Sequence, residues 1–84
     1  MSNETEKIKQ QMIGMAVTDM EKLFEIIGEL GFIGYKISMC KIKGYSYKQC
    51  ALKYGVSKSA AQRFWQKCID KRYDIALKNL FQIK

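Results

Sequence analysis

The chain has 84 residues and a formal net charge of +7, from 15 Lys and Arg against 8 Asp and Glu, with no histidine and no proline. That length is one domain, which buries only a little over ~60% of its unfolded surface, so pairing with a second copy would add to a modest stability. Apolar residues at 48% and charged ones at 27% argue against disorder, uncharged runs shorter than the ~20 residues of a membrane span argue against an integral membrane protein, and the lack of histidine excludes Ser-His and Cys-His catalytic pairs.

Residues 1–4 read as a frayed end, after which apolar positions recur with helical spacing in two stripes. Ile13, Val17, Met20, Phe24 and Ile27 form one; Ile8, Met12, Met15, Leu23, Ile26 and Leu30 form the other. A helix packed on a single small domain needs one stripe. Two are expected where part of the helix meets a second subunit, or where both stripes line the core of a compact bundle. Thr18 with Glu21 also fits a capping box, which would divide the region into two helices joined near residues 16–19.

Gly28, Gly31 and Gly34 place the best break in the chain at residues 28–34. The spacing then predicts a helix over about residues 33–43, with Ile33, Ile37, Met39 and Cys40 inward, Lys36, Lys41 and Lys43 outward, and Gly44 as its stop. Ser46 caps a helix over about residues 47–54, whose inward side chains are Cys50, Ala51 and Tyr54. Ala51 is small enough for a second helix to approach, and Gly55 permits the positive φ with which a helix commonly ends.

Ser57 caps the following helix, residues 57–69. At about 100° per residue, Ala61, Phe64, Trp65, Cys68 and Ile69 fall in one arc, while Ser59, Gln62, Arg63 and Gln66, with Lys67 at the edge, fall in the other. Extending past Asp70 would rotate Arg72 and Asn79 into the apolar arc, so a bend is expected between residues 70 and 74. A final helix follows, with Ile75, Ala76, Leu77, Leu80 and Phe81 packed on the domain or on a partner. The chain divides into an N-terminal helical region with an oligomerisation role (1–32), a central core (33–72) and a C-terminal helix (73–84).

Charge is distributed unevenly along this order. Residues 1–34 hold three lysines against six acids, and residues 35–84 hold twelve bases against Asp70 and Asp74. A basic surface attracts nucleic acid through counterion release. Cys40, Cys50 and Cys68 lack CxxC spacing and have no histidine near them, so they read as buried small hydrophobes in a reducing compartment, with no metal site and no cofactor. A soluble, cytoplasmic protein with no membrane association is expected.

The pattern Gly44-Tyr45-Ser46, Ala51, Gly55-Val56-Ser57-Lys58-Ser59 and Arg63-Phe64-Trp65 resembles the helix-turn-helix of transposases of the Tc1 and paired-like type. Its Gly-x-Ser…Ala…Gly-Val-Ser part is similar to the fourth region of bacterial sigma factors. The resemblance covers residues 33–68 and departs from the pattern at Ala61, where a β-branched residue is usual, and at Cys50, where isoleucine is frequent. It implies an all-α fold, a small bundle of four to five helices containing a helix-turn-helix, and double-stranded DNA as partner.

In that geometry the second helix enters the major groove and the first crosses the backbone. Ser57, Lys58, Ser59, Gln62, Arg63 and Gln66 would then face base edges, where Arg63 can pair with guanine and Gln62 or Gln66 with adenine. Lys43, Tyr45, Ser46, Tyr47, Lys48 and Lys67 would hold phosphates. The expected function is a small dimeric transcriptional regulator; a phage or mobile-element accessory in packaging or recombination, and an adaptor built on the same scaffold, are alternatives. An enzyme is not expected, since no glycine-rich phosphate loop or metal-holding carboxylate cluster is present.

Overall fold

The computed structural model describes residues 17–82. The expected fraying at residues 1–4, the apolar positions Ile8, Met12, Ile13 and Met15, and the first residue of the junction at 16–19 lie outside the described residues. The remainder forms an all-α bundle of four helices, α1 (Val17–Ile42), α2 (Tyr47–Tyr54), α3 (Lys58–Asp70) and α4 (Tyr73–Phe81). No helix among the described residues is long and apolar enough to cross a membrane.

The break expected at residues 28–34 is a kink at Gly31, where φ 76° and ψ 164° fall in a region essentially restricted to glycine. A straight helix of 26 residues would run roughly 39 Å, longer than the 34 Å largest dimension of the fold. The kink instead splits α1 into two limbs that serve two clusters. Leu23, Ile26 and Leu30 of the N-terminal limb bury with Tyr35, Cys68, Tyr73 and Leu77, joining α1 to α4 and the end of α3. Ile37 and Cys40 of the C-terminal limb bury with Cys50, Ala51 and Ala61, joining α1 to α2 and α3.

Small residues bring the helices close. Ala51 and Ala61 meet in the second cluster, and a Cβ built on Gly34 would stand 2.9 Å from Phe64 Cδ1, so α3 crosses α1 where α1 has no side chain. One turn on, the buried hydroxyl of Ser38 donates to the Gly34 carbonyl at 2.8 Å, which satisfies the one buried polar side chain found among the described residues. All three cysteines are buried. Burial, with a hydrogen bond from the Cys50 thiol to Cys40 second, pushes Cys50 up to about 12; burial also raises Cys68. The three pack as small hydrophobes, as their sequence context suggested.

Of the two N-terminal stripes one is buried in the core among the described residues, and the other reaches it only through the half-buried Ile27. Leu23, Ile26 and Leu30 are buried, whereas Val17 is 64% and Phe24 59% exposed. Two inward assignments, Ile33 and Ile69, are corrected, and Ile75, expected on the domain or on a partner, does not pack on the domain. Ile75 is exposed because α4 buries the Tyr73–Leu77 face, and Ile75 projects nearly opposite Leu77 at 100° per residue. Ile33 precedes by one turn the level at which Ile37 begins the second cluster, and Ile69 lies at the edge of the apolar arc in the last turn of α3; both are partly exposed. The expected bend after Asp70 is present: α3 ends at Asp70 with Lys71 as its cap, and Arg72 turns the chain with φ 60°.

Candidate nucleic-acid interface

Local chemistry sets the relation of α2 to α3. Ser46 Oγ accepts from the Gln49 amide at 3.1 Å while Gln49 Oε1 accepts from the Ser46 amide at 2.9 Å, a capping box that starts α2 without any acidic side chain. Gly55 ends it at φ 68°, its amide donating to the Ala51 carbonyl. Two residues later Ser57 Oγ accepts from the Ala60 amide at 3.1 Å and starts α3. Both helices lack an acidic residue in the first turn, so the positive potential of each N-terminus is left uncompensated by a neighbouring carboxylate.

α3 turns Ala61 and Cys68 inward and leaves Ser59, Gln62, Arg63 and Gln66 exposed. These four side chains, with Tyr47 of α2, line one open depression of about 540 Å³. Tyr47 therefore stands beside the group expected to face bases, although its sequence position suggested a phosphate contact. Lys41 of α1 sits 4.2 Å above the Tyr47 ring, adding a cation behind the aromatic wall. Lys58 is exposed at the start of α3, and Lys48 is exposed in the first turn of α2.

The other expected contact residues are dispersed. Ser46 and Ser57 commit their oxygens to caps, leaving only a hydroxyl hydrogen to donate outward. Lys43 and Tyr45 line a second, smaller cavity between α1 and the end of α2. Lys67 Nζ donates to the Glu29 carbonyl at 2.9 Å. That carbonyl lies in the turn that precedes the kink at Gly31, so the lysine ties α3 to α1 at the bend.

One participant escaped the sequence reading. Asp70 Oδ1 accepts from Gln66 Nε2 at 2.9 Å, which fixes the Gln66 amide and leaves its carbonyl oxygen turned to other donors. The signal was present, since Gln66 and Asp70 are an i, i+4 pair on one helical face. The charge pattern is also sharper than the division into halves: residues 30–69 contain eight lysines and arginines and no carboxylate. Every residue of the depression lies within that stretch, and Asp70 closes it. The chain matches no family model, no curated protein and no solved structure.

Proposed function

We propose that this chain is a sequence-specific double-stranded DNA-binding protein, a small transcriptional regulator that lays α3 in the major groove. The observation that carries the reading is the display of Ser59, Gln62, Arg63 and Gln66 in one open depression, on a forty-residue stretch without a carboxylate. Arg63 can give paired hydrogen bonds to guanine O6 and N7, and Gln62 can do the same for adenine N6 and N7. Gln66, held by Asp70, offers its free carbonyl to an exocyclic amine.

The α2 side supplies phosphate contacts from Lys48, the Ser46 and Tyr47 hydroxyls and the first-turn amides, and Lys58 supplies one at the start of α3. Such contacts position the protein and carry no sequence information. The protein acts as a pair of copies joined through the N-terminal limb of α1. Val17, Met20 and Phe24 recur at intervals of three and four, the spacing of a coiled-coil seam, and Val17 and Phe24 stand exposed, while Ile27, next in the series, packs against the core. In the sequence before Val17, Ile13 continues the same interval.

Selection of bound sites from random duplex DNA tests the reading. Enrichment of a two-fold symmetric motif, its half-sites about one helical turn apart, is expected, with affinity falling steeply as salt rises. Recovery of unenriched sequence at every round would sink sequence-specific recognition, and the absence of binding at low salt would sink the nucleic-acid reading altogether.

A further inference from the structure

The smaller cavity, about 60 Å³, lies where the C-terminal limb of α1 and the turn after it meet the end of α2. Lys36 and Lys43 of α1 and its turn, and Lys53 of α2, line it together with Tyr35, Tyr45 and Tyr54; Lys36 Nζ stands 5.9 Å from the centre of the Phe32 ring and Lys53 Nζ 5.7 Å from that of Tyr54. Among the described residues no carboxylate lines it, and its lining falls within the acid-free residues 30–69. It shares no residue with the α3 depression: α2 gives Tyr47 to one, and Lys53 and Tyr54 to the other.

Three like charges around one small cavity repel one another, and an anion placed among them turns each of those unfavourable terms into a favourable one. We propose that this cavity binds the phosphate group of a phosphorylated ligand, clasped by Lys36, Lys43 and Lys53 with tyrosine hydroxyls as additional donors. The volume suits one tetrahedral oxyanion and leaves the body of the ligand in solvent. A phosphate takes up such donors with charge-assisted hydrogen bonds.

Tyr35 is 2% exposed, and burial, with Tyr54 beside it, pushes its ionisation up to about 12. Its hydroxyl therefore keeps a proton to donate at neutral pH. Because the clasp spans α1 and α2, its occupation braces the helix on which Tyr47 and the α2 phosphate contacts stand. Two sources share this chemistry, a free phosphate monoester and the DNA backbone. The separation of the two linings favours the free ligand. The cavity does not depend on α3 reading DNA, so each proposal can fail without the other.

The test is a titration of the full chain with inorganic phosphate and with glycerol 3-phosphate at constant ionic strength, chloride serving as control, followed by amide NMR shifts. Saturable shifts in the millimolar range are expected at Lys36, Lys43, Tyr45 and Lys53, absent with chloride. The double variant Lys43→Gln and Lys53→Gln, both at exposed positions, should bind phosphate at least about tenfold more weakly with its helical circular dichroism intact. Arg63→Ala should leave phosphate binding unchanged. A duplex added to the phosphate-saturated protein separates the sources: persistence of the cavity shifts identifies a free ligand, and their displacement identifies the DNA backbone. Linear, chloride-like shifts with both phosphates, or equal affinity in the double variant, would overturn the proposal.

Discussion

Replacing Gly31 by alanine tests the kink that organises α1. The backbone there has φ 76° and ψ 164°, and although nothing lies within 4 Å of an added Cβ, a side chain in that region costs about 1–3 kcal/mol. The variant has one escape, which is to straighten α1 and regain a continuous helix. Straightening would draw Leu23, Ile26 and Leu30 away from Tyr73 and Leu77. Each of those side chains contributes about 1.5–3 kcal/mol by burial, so the loss, on the order of 5 kcal/mol or more, exceeds the strain it would relieve. The protein should therefore keep the kink and carry the strain. Thermal unfolding should show a midpoint lowered by about 4–8 °C for each kcal/mol in a domain of this size, with helical content unchanged. Gly28→Ala is the matched control. It lies in the same limb, open on all sides, and should stabilise by up to about 1 kcal/mol through helix propensity alone. If Gly31→Ala were as stable as Gly28→Ala, the assignment of strain to Gly31 would be wrong.

Arg63→Ala should reduce affinity for the selected site by about 1–3 kcal/mol, roughly five- to 150-fold, while salt-sensitive binding to unrelated duplexes remains; an unaltered sequence preference removes Arg63 from base reading. Phe24→Glu should leave the fold intact, because the side chain is 59% exposed, and convert a dimer to a monomer in sedimentation. A variant that still sediments as a dimer would show that the N-terminal limb is not the seam. Gly34→Ala should destabilise by up to about 2 kcal/mol, since overpacking against Phe64 outweighs the gain in helix propensity; a more stable variant would mean that α3 yields easily there. Because the folded pKa of Cys50 is raised from 9.0 to about 12, and that of Tyr35 from 10.0 to about 12, the folded state retains protons that the unfolded chain releases. Their stabilising contribution is complete below pH 9 and is lost as pH rises from there toward about 12. Urea midpoints should be level up to pH 9 and fall beyond it, with Cys50→Ala removing the earlier part of the decline; a midpoint that rises above pH 9 contradicts the burial of these groups.

Local rules made the segment from Gly44 to Cys68 legible in sequence. Ser46 with Gln49, Gly55 and Ser57 act on backbone within three or four residues of themselves, so their caps could be placed before any partner helix was known. The exposed arc of α3 was legible for a similar reason, because angular position on a helix depends only on separation along the chain. The same periodicity misplaced Ile33 and Ile69, which depend on how far a neighbouring helix extends, and it could not say which of two stripes in the N-terminal limb would be buried.

By itself, then, the sequence determined the helices, their caps, the face that α3 turns outward and the acid-free basic stretch, since these follow from short-range geometry and from residue identity. Tertiary structure alone decided that Gly31 bends α1 into two limbs, that Gly34 receives Phe64, that Lys67 turns to the Glu29 carbonyl 38 residues away, and that lysines from α1, the turn after it and α2 line one cavity. Each of those depends on where separate helices come to rest against one another, and that is set by packing over the whole core, which no local spacing encodes.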